Sequence, residues 1–472
     1  MWGLTKGAVE EKPAAPKKKV YVPPPTPYGG MVTVNGSPVP AETAPHLLVS
    51  GPTGTGKSRR VLAPGILMWN GPVVAVSSKP DLIGLCLKKR LEQGGYDKTF
   101  VLDLSGEVPD DALPAGVHRV VVDPVALVKT DDDALDLASI LSQSGAAGAG
   151  GGNGGGGGDA FWENISLAPL AAILRAAGPD GIAWARAAIS QVELPEGTDK
   201  DAEVLPPSWP AAVRRLTGSS PMLAEELYAA GALDGKMRDS VAVTMKNAVA
   251  PWLRSTVVGT GGEMAFTPDM LAHPRATLFM VAPATGVAAG AAVSAVDFIS
   301  KRWRANQTEA RKLPRVLLVV DELCNTMPWS KLPTVVTESR AMGINLLVAV
   351  QASSQFAKRY GEQGMTELRD VFPATLLLVG AAETEMLENA AWWSGQAEKV
   401  KVATDHQGKQ SISHEMTDVM SAQDLLPHSV DEARLLRGKR PGEATHREAG
   451  LLVDLLDISR MIPDFERYEL NF

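Results

Sequence analysis

The 472-residue chain is 45% hydrophobic and 21% charged, with a net charge of −8 and a pI near 5.5. That profile is a globular one of roughly two to four domains, and it excludes a uniformly basic nucleic-acid coat. The two cysteines, Cys86 and Cys324, are too few for a tetrahedral zinc site or a disulfide framework, and fit a reducing cytoplasm.

Residues 1–45, with "KPAAPKKKVYVPPPTPYGG", read as a flexible Pro/Lys-rich arm. Its Lys17-Lys18-Lys19 run is a solvated tail or a contact for phosphate or anionic lipid. From His46 onward, short apolar runs alternate with helical text: "HLLVS", "PVVAVSS", "TFVLDL", "RVVVDP", "TLFMVAP", "RVLLVVDE", "NLLVAVQ" and "TLLLVGA". Most lack period-two alternation, as strands covered on both faces do. Helical crossovers between them predict an α/β fold with a mainly parallel sheet.

The expected order is a nucleotide-binding part over 46–130, a Gly-rich linker over 131–158, an all-α insert over 159–264 and a second nucleotide-binding part over 265–472. In the insert, "DAFWENISLAPLAAILRAAG" places an N-cap at Asp159 and a stop at Gly178, with Phe161, Trp162, Ile165, Ile173 and Leu174 as an apolar stripe. "SPMLAEELYAAG" starts with Ser220 and Pro221 and ends at Gly231. The insert holds nine Lys/Arg against thirteen Asp/Glu, so it suits a basic protein partner or plain solvation. "LFMVAPATGVAAGAAVSAVDFI", interrupted by Pro283 and Asp297, reads as a strand, a turn and a core helix and not as a membrane span.

Three motifs carry chemistry. "GPTGTGKS" is a complete G-x-x-x-x-G-K-[ST] phosphate loop after an apolar run. Gly51, Gly54 and Gly56, with Thr53 and Thr55 between them, aim N–H groups at phosphate oxygens, and the helix N-terminus adds positive potential. Lys57 would reach the β- and γ-phosphates of ATP, and Ser58 a Mg²⁺ ion. "RVLLVVDEL" ends a strand in Asp321, for the metal shell, and Glu322, for the attacking water. "NLLVAVQ" ends in Gln351, either a sensor of γ-phosphate and water or an ordinary polar strand end. Arg340, eleven residues earlier, is either a finger reaching a neighbouring subunit's nucleotide or half of a surface ion pair. Arg59 and Arg60 fit a subunit interface better than sequence-specific DNA contact.

Together these stretches resemble the type IV coupling proteins, the TraG/TraD-like ATPases related to FtsK/HerA motors. The resemblance is carried by "GPTGTGKSRRVLAPGILMWNGPVVAVSSKPDLI", "KTFVLDLSG", "DAFWENISLAPLAAILRAA", "RVLLVVDEL" and "ESRAMGINLLVAVQASSQFAKRYG", and spans roughly His46 to Gly395. "VSSKPDL" fits the family's turn after the second strand, with Lys79 and Asp81 in place. The resemblance implies a RecA-like P-loop core with an inserted all-α domain. It also implies a ring hexamer that recruits a relaxase–DNA complex or protein through that domain and feeds single-stranded DNA, or protein, to a secretion channel by ATP hydrolysis. Carried onto this chain are Lys57, Ser58, Asp321, Glu322, Gln351 and Arg340. Typical members begin with membrane helices and this sequence shows none. Expected instead is a cytoplasmic protein held at the inner face of the membrane by a separate subunit. The glycine run before Asp159 is a second departure, with no functional reading. Two other functions compete: a cytoplasmic HerA/FtsK-like DNA pump, and a nucleotide-gated docking platform with little motor activity.

Overall fold

The computed structural model describes residues 25–148, 157–284, 286, 288–305, 312–404, 410–437 and 450–470. The strands are β1 (Met31–Val34), β2 (Ser37–Pro40), β3 (His46–Ser50), β4 (Val73–Ser77), β5 (Thr99–Asp103), β6 (Val117–Val121), β7 (Met264–Ala265), β8 (Thr277–Val281), β9 (Val316–Val320), β10 (Ile344–Val350), β11 (Ala374–Leu378), β12 (Gln396–Thr404), β13 (Gln410–Asp418), β14 (Glu432–Arg437) and β15 (Gly450–Asp454). Thirteen of them form one sheet in the order β2-β1-β15-β14-β11-β3-β10-β9-β4-β8-β5-β6-β7. From β11 to β7 every pairing is parallel. From β2 to β11 the pairings are antiparallel. All eight apolar runs read from the sequence are strands of the parallel part.

Those strands are apolar throughout because both faces are covered. Along β3 and β4, Leu48, Val74 and Val76 point into one core, while Leu47, Val49, Val73 and Ala75 point into the other. Full burial of such a side chain is worth about 1.5–3 kcal/mol relative to exposure. The second core holds the helices that follow β3 and β4. The first is continuous with the helices inserted between β6 and β7. Trp252, 1% exposed, joins the two layers: its indole N–H donates to the Val122 carbonyl at 3.3 Å. The inserted helices are therefore packed on the sheet through an apolar interface.

Two expected boundaries are corrected. Part of the expected arm, within 1–45, is folded: β1 and β2 form a hairpin across Asn35 (φ 52°) and Gly36 (φ 79°), an Asn-Gly turn that suits the strand twist. It pairs with β15 at the sheet edge. Lys17, Lys18 and Lys19 lie outside the described residues. Most of the expected linker is the helix Asp131–Gly148. Thr130 and Asp133 cap it reciprocally, each N–H donating to the other's side chain at 3.1 Å, and Ala134, Leu137, Ala138 and Leu141 form its buried stripe. The rest of the glycine run, residues 149–156, lies outside the described residues.

Other readings hold with adjusted ends. A helix covers Gly157–Ala177, starting before the expected cap at Asp159, and Gly178 (φ 49°) follows it. Of its expected stripe, Ile173 and Leu174 are fully buried while Phe161 is half exposed. Another covers Pro221–Gly231, although the Ser220 hydroxyl donates to Asp131 at 2.5 Å and does not cap it. The Ala/Gly-rich stretch is β8 followed by the helix Ala289–Arg304. Among the described residues no helix is long and apolar enough to cross a membrane.

Candidate nucleotide site

The parallel strands place their C-terminal ends side by side, where open α/β sheets bind ligands. β3 ends at the phosphate loop, β9 at Asp321 and β10, lying between them, at Gln351. Ser58 and Asp321, 263 positions apart in sequence, are thereby in contact. The loop turns through Gly54 and Gly56, at φ 86° and 84°, a region that side chains with a Cβ rarely occupy. The helical run Lys57–Leu62 and Ala63–Met68 follows at once, so its free N–H groups face the cradle.

Lys57 is buried beneath the loop. Its Nζ donates to the carbonyls of Gly51 at 2.6 Å and Pro52 at 3.0 Å. Burial lowers its pKa, against the opposing pull of Asp321 and Glu322. The Ser58 hydroxyl donates to Asp321 Oδ2 at 3.3 Å. Asp321 is 8% exposed. Desolvation above all, with Asp81 and Glu322 adding like charge, pushes its pKa up to about 6. Its Oδ1 is buried and has no hydrogen-bond partner.

That orphaned oxygen tests the expected magnesium site. A hard cation wants oxygen ligands, and Mg²⁺ is held by one or two protein groups together with phosphate oxygens and water. Ser58 Oγ and Asp321 Oδ1 fit such a shell. Among the described residues no cluster of three His, Cys, Asp or Glu would hold a metal unaided, so the donor set fits a metal that arrives with phosphate.

Glu322 occupies the left-handed region at φ 50°, ψ 50°, a strain of about 1–3 kcal/mol for a residue with a side chain. Its Oε1 accepts from Gln351 Nε2 at 3.2 Å, and the Gln351 backbone N–H donates to Gln355 Oε1 at 3.1 Å. The strand-end acid and the strand-end amide are thus in direct contact. A cleft of ≈ 620 Å³ runs past Thr53, Lys57, Ser58, Asp81, Asp321 and Glu322. Lys79 also lines it, and Asp81 Oδ1 is held by the Ser77 hydroxyl at 3.0 Å. Thr55 points inward and donates to the Pro52 carbonyl at 2.9 Å, bracing the loop.

Arg340 is elsewhere. It lies in the last turn of helix Leu332–Met342, which delivers the chain to the start of β10. Seven strand residues, about 3.3 Å each, separate that end from Gln351. Its charge acts on His46, at the far end of β3. The chain's own fold does not bring Arg340 to the phosphate loop.

Arg59 and Arg60 receive a different account from the one expected. Arg59 binds both oxygens of Asp457 at 3.2 Å and Glu469 at 2.7 Å, and its guanidinium lies 5.6 Å from the Phe465 ring. Arg60 pairs with Asp431 and donates to the Leu455 carbonyl at 3.2 Å. Both join the first turn after the loop to the C-terminal segment of the same chain. Glu469 and Leu470 then line the cleft itself, which no motif announced. Sequence reasoning also missed a buried carboxylate, Glu383, which accepts from the Ser50 hydroxyl just before the loop.

Comparison with known proteins agrees with the geometry. Residues 315–431 match the family described as the TraM recognition site of TraD and TraG. No curated protein matches the chain by sequence. Among solved structures, the chain is similar to the bacterial conjugative coupling protein TrwBdeltaN70 in an unbound form, at 19% identity and TM-score 0.56, covering 91% of this chain and 89% of that one. It is similar to the plasmid coupling protein TrwB in complex with the ATP analogue ADPNP, at 18% identity and TM-score 0.57 over 91% and 90%. The complex of TrwB with ADP and Mg²⁺ matches at 18% and 0.55 over 91% and 89%. The resemblance to type IV coupling proteins and the RecA-like core with its all-α region are thereby borne out.

Proposed function

We propose that this chain, built on the fold of the conjugative coupling proteins, is the coupling ATPase of a conjugation or type IV secretion apparatus. It recruits a relaxase–DNA or protein substrate and delivers it to a secretion channel at the expense of ATP. The observation that carries the reading is the convergence of Lys57, Ser58, Asp321 and Glu322 on one cleft, with Gln351 hydrogen-bonded to Glu322, in a chain whose residues 315–431 match the family described as the TraM recognition site of TraD and TraG.

The residues divide the chemistry. The loop N–H groups and Lys57 bind and orient the phosphates. Ser58 and Asp321 would hold Mg²⁺, which when bound neutralises charge developing on the phosphate oxygens. Glu322 accepts a proton from the attacking water. The Gln351 amide holds the Glu322 carboxylate in place and is positioned to orient that water. Gly51, Thr53, Gly54, Thr55 and Gly56 shape the cradle.

The partners follow from the same reading. The acidic all-α region faces the substrate protein, single-stranded DNA threads a ring of six copies, and a membrane or channel subunit holds the ring at the inner face of the membrane. Arg340, remote from its own cleft, serves a neighbour's nucleotide only in such a ring. The test is ATP turnover with and without single-stranded DNA, together with capture of purified relaxosome proteins. DNA-stimulated turnover plus relaxosome binding is expected. Stimulation without such binding would give a cytoplasmic DNA pump, and binding without turnover a docking platform.

A further inference from the structure

Glu383 is 2% exposed, and its partners Ser50 and Ser353 are each at 0%. Its Oε1 accepts from the Ser50 hydroxyl at 2.5 Å and from the Ser353 backbone N–H at 2.6 Å. Its Oε2 accepts from the Ser353 hydroxyl at 2.6 Å. That hydroxyl in turn accepts from Arg369 Nε at 2.7 Å, and the guanidinium also reaches Glu385 at 2.8 Å. A buried carboxylate costs several kcal/mol unless paired and hydrogen-bonded, and this one has three donors and a guanidinium 4.0 Å away.

The donors are not scattered. Ser50 is the last residue of β3, directly before the phosphate loop. Ser353 is two residues past Gln351. Glu383 follows β11, the strand on the other side of β3. One carboxylate therefore fastens the loop end of β3 to the Gln351 end of β10. Arg369 extends the fastening into the C-terminal part of Gln355–Val371, a helix kinked at Gly361 (φ 75°). The part of that helix before the kink receives the Gln351 N–H through Gln355, and its Arg359 donates to the Cys324 carbonyl at 2.8 Å, two residues after Glu322.

We propose that Glu383 is a positioning residue for hydrolysis: it fixes the spacing between the phosphate loop and the Gln351–Glu322 pair, and couples occupancy of the loop to helix Gln355–Val371. The proposal rests on the ATPase reading above. The reason for a carboxylate is directional. Ser353 N–H cannot reverse its bond, so an amide at this position leaves a buried donor facing a weakened acceptor set, while the loop's own phosphate contacts stay intact.

The test uses the full chain and its Glu383→Gln variant. Steady-state turnover is expected to fall about 10²-fold, the scale of a small misplacement at the reacting centre. Affinity for a non-hydrolysable ATP analogue with Mg²⁺ should stay within about threefold, since only transition-state alignment is lost. Amide hydrogen exchange then reads the coupling without chemistry. In the wild type the analogue protects both 51–58 and 351–355; in the variant it protects only 51–58. Unchanged turnover, a parallel loss of affinity and turnover, or protection of both segments in the variant overturns the proposal. If the wild type binds the analogue without hydrolysing ATP, the ATPase reading fails and the exchange arm still decides the coupling. Should Glu383→Gln not fold, Ser50→Ala removes one donor and leaves two, with the same pattern expected in weaker form.

Discussion

β3 is five residues long, and its two ends are chemically opposite. At the C-terminal end Lys57, Ser58, Asp321 and Glu322 line a mixed-charge open cleft, and Gln351 bonds to Glu322 beside it. At the N-terminal end lies His46, 2% exposed with both ring nitrogens unpartnered, beside the cationic Arg315 and Arg340. One end holds charges of both signs around an open cleft. The other stays neutral because desolvation, and then its arginine neighbours, lower the His46 pKa to about 4. A parallel sheet gathers function on one edge, and the opposite edge is left to stability.

The sharpest break in this contrast is at Glu322. Glu322→Gln should retain ATP binding and lower turnover about 10³-fold, within the range for loss of a general base; near-normal turnover would remove Glu322 from that role. Lys57→Ala should weaken both binding and turnover, the latter about 10²-fold, as when one preorganised donor is lost; binding calorimetry alongside turnover checks it.

At the other end the expected effect is on stability. A group with a depressed folded pKa contributes stability above its unfolded pKa, near 6.5, and loses it as pH falls toward the folded value, about 4. Between pH 7 and pH 5 His46 should therefore cost the wild type about 2 kcal/mol. Denaturant unfolding at the two pH values measures it, and His46→Leu should flatten that share of the dependence. The smallest effect is assigned to Arg340→Ala: nucleotide affinity of the single chain should change less than about twofold, as for a residue outside the binding contacts. A turnover defect appearing only at concentrations where rings form would make Arg340 a finger in trans.

The parallel strands were legible because burial on both faces leaves only apolar residues, and "HLLVS" or "VLLVV" permits little else. Lys57 and Ser58 were legible because the phosphate-loop motif fixes their place after β3, and Asp321 and Glu322 because they directly follow an apolar strand. The helix Asp131–Gly148 escaped although its cap pair Thr130 and Asp133 was in plain view, since the glycine run beside it dominated the reading. Glu383 escaped for a different reason. Its partners lie 333 and 30 residues away, and nothing local separates it from the many exposed glutamates. The same holds for Arg59 with Asp457 and Glu469. Contacts closed only by the folded sheet have no local spacing to announce them.

The tie from Arg59 to Asp457 and Glu469 has a practical side. The last described residues, Glu469 and Leu470, form part of the wall of the cleft. An affinity tag or fluorescent fusion joined directly after Leu470 would hang from the rim of that cleft, whereas one joined directly before residue 25 enters the fold beside the β1–β2 edge of the sheet. Nucleotide binding measured on differently tagged preparations would then differ for reasons belonging to the handle and not to the cleft.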